Sequence, residues 1–191
     1  LIFVKFCYRV LRQLTKQNSA VSRLLYGHLD RLVENFGVSF NVVDVVSEIF
    51  RDTPDLIRAA KPELVQKVWQ LSQEQRDEMY INFLCVLLEG EGGVPIKANQ
   101  DKVAAVITKN FPQSGCPSSS GFFDPEWSHL EGAERHDDKP EHAEFFFHAA
   151  IVNLASLLCG GRHRESIDFF LTEKQFGFTY LGILSRLTKG N

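Results

Sequence analysis

The sequence predicts an all-α fold, an armadillo-like α-solenoid of stacked antiparallel helices with one long loop at about 111–139. Three observations predict it. Apolar residues recur three and four apart on both sides of that loop, the spacing of a buried helical face. Glycine, proline and small polar residues fall between those runs, where helices stop and start. One layout (an apolar helix, a short polar turn, a second helix) occurs at residues 10–25, 83–107 and 153–170. These turns lie roughly 70 residues apart, the span of two stacked helical units, and each unit needs a neighbour to cover its apolar face.

The first helix is expected over 2–15, with Phe3, Cys7, Val10 and Leu14 on one face and Val4 and Leu11 beside them. Lys16-Gln17-Asn18 breaks it. Ser19 is the expected cap of one helix carrying Val21, Leu24, Leu25, Leu29, Leu32, Val33 and Phe36, with Gly37 as its stop. Asn41 can cap a third helix through Val42, Val43, Val45, Val46, Ile49 and Phe50. That run is β-branched enough for a strand, but its length and the Ser47-Glu48 interruption favour a helix. Thr53-Pro54 starts a short helix ending near Ala60, since a cap followed by proline suits a first turn. Pro62 opens another with Leu64, Val65, Val68, Trp69 and Leu71 on its inner side.

Ser72-Gln73-Glu74-Gln75 has the form of a capping box for the next helix, where Tyr80, Phe83, Leu84 and Leu87 share one face. Met79, Val86 and Leu88 widen it, so this helix is expected to be covered on more than one side. Glu89-Gly90-Glu91-Gly92-Gly93 ends it, and Asn99 is the expected cap of the helix through Val103, Val106 and Ile107. After the loop, Pro140 begins a helix through Phe146, Ala149, Ile151, Val152, Ala155 and Leu158 that stops at Gly160-Gly161. Another passes through Ile167, Phe170 and Leu171, and a capping box at Thr172-Glu173-Lys174-Gln175 introduces a last piece. The organisation is thus one helical-repeat domain over 1–191: a first helical block at 1–110, a mobile loop at 111–139 and a second block at 140–191.

Composition narrows the function. An apolar fraction of 44 % and a mean hydropathy of −0.13 are those of a soluble globular domain. A formal charge of −3 lacks the clustered basic surface that nucleic acid requires. The apolar start at Leu1-Ile2-Phe3-Val4 is interrupted by Lys5 and Arg9, so no membrane insertion by this segment is expected. The chain opens inside an amphipathic pattern without an initiator methionine, and we expect a piece of a larger protein. Cys7, Cys85, Cys116 and Cys159 are far apart, three of them on apolar helical faces, which fits structural thiols in a reducing compartment.

Chemistry is sparse. His129, Glu134, His136, Asp137, Asp138, Glu141, His142, Glu144 and His148 form the densest polar cluster. His136, His142 and His148 are six apart, a spacing that does not stack on one helical face, so the expectation is a solvated acidic connector. His136-Asp137 resembles the doublet of all-helical metal-dependent phosphohydrolases, but Asp138-Lys139-Pro140 follows it and no apolar flank surrounds it. G-x-S-x-G, phosphate-loop and calcium-loop motifs are absent from the sequence. Arg162, His163 and Arg164 beside Gly160-Gly161 could meet an anion, against a basic turn facing water as the plainer reading. His28 and His148 read as partly buried helical histidines. No residue is therefore assigned to catalysis, cofactor or metal, and no cofactor is expected.

The order of features resembles a known family. Lys16-Gln17-Asn18 with Leu24-Leu25-x-x-His28 forms one stretch. Tyr80-Ile81-x-Phe83-Leu84, the turn at Glu89-Gly90 and Ile96-Lys97-x-x-Gln100-Asp101 form the closest. Phe147-His148, Val152-x-Leu154-Ala155 and Gly161-Arg162 form the third. Together they resemble the RIH-associated armadillo-like region of inositol trisphosphate and ryanodine receptors, more the former. The resemblance implies a non-enzymatic scaffold and coupling segment of a calcium-release channel on the cytosolic face of an internal store such as the endoplasmic reticulum. It also implies partners among neighbouring domains of the same chain and the other subunits of a homotetramer. Beside it stand a free-standing helical-repeat adaptor whose groove takes a peptide and, last, an all-α metal-dependent phosphohydrolase.

Overall fold

The computed structural model describes residues 2–37, 41–51, 53–90, 93–110 and 140–172. Among these residues the chain forms ten α-helices, with one isolated bridge between Glu89 and Pro95 as the β-pairing. They are α1 (Ile2–Thr15), α2 (Ser19–Tyr26), α3 (Leu29–Glu34), α4 (Val42–Arg51), α5 (Pro54–Arg58), α6 (Pro62–Gln75), α7 (Glu78–Leu88), α8 (Lys97–Asn110), α9 (Pro140–Cys159) and α10 (Arg164–Thr172). In one row α1 packs on α4, α4 on α7 and α7 on α9; beside it α6 packs on α8 and α8 on α10. Row-forming helices begin at Ile2, Val42 and Glu78, roughly 40 residues apart, which is the period of armadillo and HEAT units. The all-α, solenoid-like expectation holds.

The centre of the stack is α7, where eight of eleven residues are buried. A helix apolar all round must be covered all round, and α7 meets α4, α5, α6, α8 and α9. The β-branched run of α4 is helical because its neighbours α1, α2, α3 and α7 accept Val42, Val43, Val45, Val46, Ile49 and Phe50 from several directions, leaving all six buried. Phe50 stacks obliquely on Phe83 with centroids 5.7 Å apart, joining the two helices.

Several local expectations are corrected. The single helix expected after Ser19 is two, α2 and α3, broken at Gly27-His28, and His28 is exposed rather than partly buried. Asn18 caps α2, its side chain accepting from the Val21 amide at 3.2 Å, because Ser19 already belongs to the helix. Ser72 is buried inside α6 and donates to the Trp69 carbonyl at 2.7 Å; α6 ends at Arg76 in the left-handed region (φ 50°). Asp77 then caps α7 through the Met79 amide at 2.9 Å. Thr53 turns its hydroxyl back to the Ile49 and Phe50 carbonyls instead of forward, and Pro54 still opens α5.

On α1 the face expected to be inner is the open one: Phe3, Val10 and Leu14 are exposed, while Tyr8, Leu11 and Thr15 face the core. Burial there follows the contact with α4, where Arg12 reaches Asp44 and Glu48. The helix expected to run through Phe36 to Gly37 ends earlier, α3 stopping at Glu34 with Asn35 as its cap; Gly37 lies in the turn beyond with φ 87°, and its amide donates to the Tyr80 hydroxyl at 3.1 Å. The loop at 111–139, the expected box beyond Thr172 (residues 173–175) and the last piece lie outside the described residues, while Thr172 itself is the last residue of α10.

Candidate functional site

Four consecutive residues at the start of α8, Asn99-Gln100-Asp101-Lys102, hold four other helices. A helix ends with carbonyls that have no intrahelical donor, and burying them unpaired is costly. Asn99, 1 % exposed, donates through Nδ2 to the carbonyls of Ile57 at the end of α5 (2.9 Å) and Leu87 at the end of α7 (2.7 Å). Gln100, also buried, donates through Nε2 to Leu157 (2.9 Å), Leu158 (3.2 Å) and Gly160 (2.8 Å) at the end of α9. Lys102 Nζ donates to the Arg58 and Ala60 carbonyls at 3.0 and 2.9 Å and to Asn99 Oδ1 at 3.2 Å. A cation at the C-terminal end of α5 also suits the helix dipole.

The fourth contact runs to α10. Asp101 Oδ1 accepts from His163 Nε2 at 2.7 Å, and His163 Nδ1 lies 2.8 Å from Ser166 Oγ and 3.3 Å from the Ser166 amide. An acceptor at Nδ1 for that amide places the proton of the neutral ring on Nε2. His163 thus caps α10 with its ring. It is buried, so the basic turn expected at 162–164 is corrected: Arg162 and Arg164 face water and His163 does not. Asn99, expected to cap α8, is its third residue, and the amides of Asn99 and Gln100 are taken by the Ile96 carbonyl at 2.9 Å each.

Of the expected polar cluster, His129, Glu134, His136, Asp137 and Asp138 lie outside the described residues, as do the side chains of Glu141, His142 and Glu144. His148 is buried on α9, its Nε2 3.0 Å from Arg76 Nη2, while the Arg76 guanidinium lies 4.8 Å over the Phe147 ring. Arg76 can only donate, so this histidine nitrogen accepts and is committed to the α6–α9 junction. Burial pushes the Cys85 thiol up to about 12, with the Glu89 carboxylate adding to it, and burial also raises Cys159. Neither is an activated nucleophile.

A concavity of about 560 Å³ opens over the row of α1, α4, α7 and α9. Its lining includes Glu48, paired with both Arg12 and Arg51, together with Glu78 and Glu89.

Comparison with known families supplies the context. The model described as the RIH domain of ryanodine and inositol trisphosphate receptors matches residues 2–111, more than half of the chain. The chain belongs to the RIH-domain family. Its members are calcium-release channel receptors. The comparison with curated proteins gave no match. The RIH match contains two of the three stretches that carry the resemblance, including the whole of the Asn99 to Lys102 cluster; the third stretch, on α9 and the turn after it, supplies the carbonyls that Gln100 holds. Among the described residues of this RIH-domain chain, no helix is long and apolar enough to cross a membrane.

The sequence pointed to Gln100 and Asp101 through the family likeness but not to the burial of Gln100 or the reach of Asp101 to His163. The usable signal is four polar residues in a row directly before the apolar pattern of Val103 and Ile107.

Proposed function

We propose that this chain is a cytosolic scaffold and coupling segment of an inositol trisphosphate receptor-like calcium-release channel, working by mechanical relay and without catalysis. Its partners are neighbouring domains of the same polypeptide and the other subunits of a homotetramer at the endoplasmic reticulum or another calcium store. The observation that carries the reading is the α8 cluster, in which one helical turn grips the ends of α5, α7 and α9 and the start of α10. Close-packed helices deform little, so displacement of α5 reaches α10 through side chains that have no slack.

The test is made in the parent channel. Asn99→Ala and Gln100→Ala are expected to reduce ligand-evoked calcium release while ligand binding and tetramer assembly persist. Unchanged gating in variants whose isolated segment has a lowered Tm would defeat the coupling role. Sequencing the parent transcript tests the channel context separately: hydrophobic spans with a pore loop support it, and a chain of further soluble repeats alone defeats it.

A further inference from the structure

We propose that Asp101, His163 and Glu165 form a zinc site that staples α8 to α10. The proposal stands apart from the coupling role. One carboxylate oxygen from Asp101, one from Glu165 and a ring nitrogen of His163 lie within 4.8 Å of one another. They come from two helices and the turn between α9 and α10; His163 and Glu165 are neighbours in sequence, and Asp101 lies 62 positions before His163, so no local motif announces the set.

The donor set selects the metal. Calcium and magnesium favour shells of oxygen alone, whereas an imidazole with two carboxylates suits zinc. Three protein ligands leave a fourth tetrahedral position for water, and Asp101 and Glu165 are both exposed, which provides the way in. His163 is preset for ligation because its side chain is 4 % exposed and its ring is held edge-on by Ser166.

Zinc binding moves the ring proton and releases one capping hydrogen bond. In the metal-free chain Nε2–H donates to Asp101 and Nδ1 accepts from Ser166. Zinc takes the Nε2 lone pair, the ring proton moves to Nδ1, and Nδ1–H then donates to Ser166 Oγ, since a hydroxyl serves as donor or acceptor; the Ser166 amide gives up Nδ1 as its acceptor, so the metal link replaces the ring cap of α10. A metal-bound histidine normally donates its other N–H to such a partner. Around the ion the 2.7 Å Asp101–His163 separation opens to about 3.3 Å, the edge of a tetrahedron with bonds of about 2.0–2.1 Å. The half-exposed Asp101 carboxylate turns to allow it.

Glu165 separates this site from a hydrogen-bonded helix cap, because the cap needs only Asp101, His163 and Ser166. The experiment is calorimetric titration of the 191-residue chain with zinc chloride, repeated with magnesium and calcium chloride. A thermal melt in each metal and in EDTA accompanies it, the EDTA melt verifying the fold of each variant. The expected result is one zinc per chain, a Tm raised by zinc but not by magnesium or calcium, and zinc affinity more than tenfold weaker in Glu165→Gln and Asp101→Asn. Loss of an outer-shell partner alone weakens metal by about 10–100-fold, so loss of a ligand must do at least as much. A His136→Ala/Asp137→Ala variant should bind as the parent does. No saturable zinc binding, or binding that survives Glu165→Gln in a folded protein, overturns the site and leaves a hydrogen-bonded cap only. Binding lost instead in His136→Ala/Asp137→Ala overturns it as well.

Discussion

Glu48 sits almost fully buried on α4, with Arg51 Nη1 at 3.4 Å and Arg12 Nε at 3.8 Å, so one carboxylate ties α1 to α4. Removing both cations leaves that charge buried and uncompensated, whereas removing the charge leaves two arginines that reach water. Urea denaturation should therefore find Arg12→Ala/Arg51→Ala more destabilised than Glu48→Gln, and the reverse order would mean the carboxylate is solvated. Cys85 gives a pH dependence with a definite sign. Burial lifts its thiol from the ordinary 9.0 to about 12, and burial likewise raises Tyr80 above 10.0. A folded group that holds its proton more tightly than the unfolded chain stabilises fully below the unfolded pKa, and that stabilisation is lost as pH rises through the folded value. Denaturation midpoints should accordingly fall from about pH 9 towards pH 12, with a shallower fall in Cys85→Ala. A flat profile over that window would show that the thiol is open to solvent.

The helix α7 carries the packing, and its residues are the place to measure it. Leu84 and Leu87 are both fully buried among the elements α7 touches. Truncating either to alanine deletes methylene contacts and leaves a cavity, for an expected loss of about 2–5 kcal/mol in chemical denaturation. Leu24→Ala on the exposed side of α2 should cost less than about 0.5 kcal/mol. Equal losses at the two sites would mean the stack is covered differently. The extents of α1, α4 and α9 and the starts of α5 and α6 were legible in the sequence because three-and-four periodicity and the prolines at 54, 62 and 140 report directly on local backbone. Which face of α1 turns inward was not legible: Phe3, Val10 and Leu14 are as apolar as a core face, and only the position of α4 decides. Nor was the role of Asn99 and Gln100, since polar residues at a helix start ordinarily cap or meet water. Here they are enclosed by carbonyls that come from residues 57, 87 and 157–160.

At the scale of the molecule, a stack of repeats holds together through nearest-neighbour interfaces, so the strength of each joint decides whether parts open separately. Gln100 is the polar joint between α8 and α9, and Gly160 fits beside it because a Cβ there would meet Pro95 Cγ at 2.7 Å. Asn99 is the joint to α5 and α7. Each replacement by alanine leaves buried carbonyls without their donor, at about 1–3 kcal/mol per orphaned group. The two losses fall on different neighbours. Amide hydrogen exchange in Gln100→Ala should show faster exchange confined to α9 and α10, with α4 and α6 keeping their protection. In Asn99→Ala the faster exchange should appear in α5 and the last turn of α7 instead. If both variants lose protection evenly along the chain, the repeats open only together and α8 is one contributor among many. If the losses separate as expected, one turn of α8 decides whether the two ends of the stack move as a single body, which is the property a relay between distant domains requires.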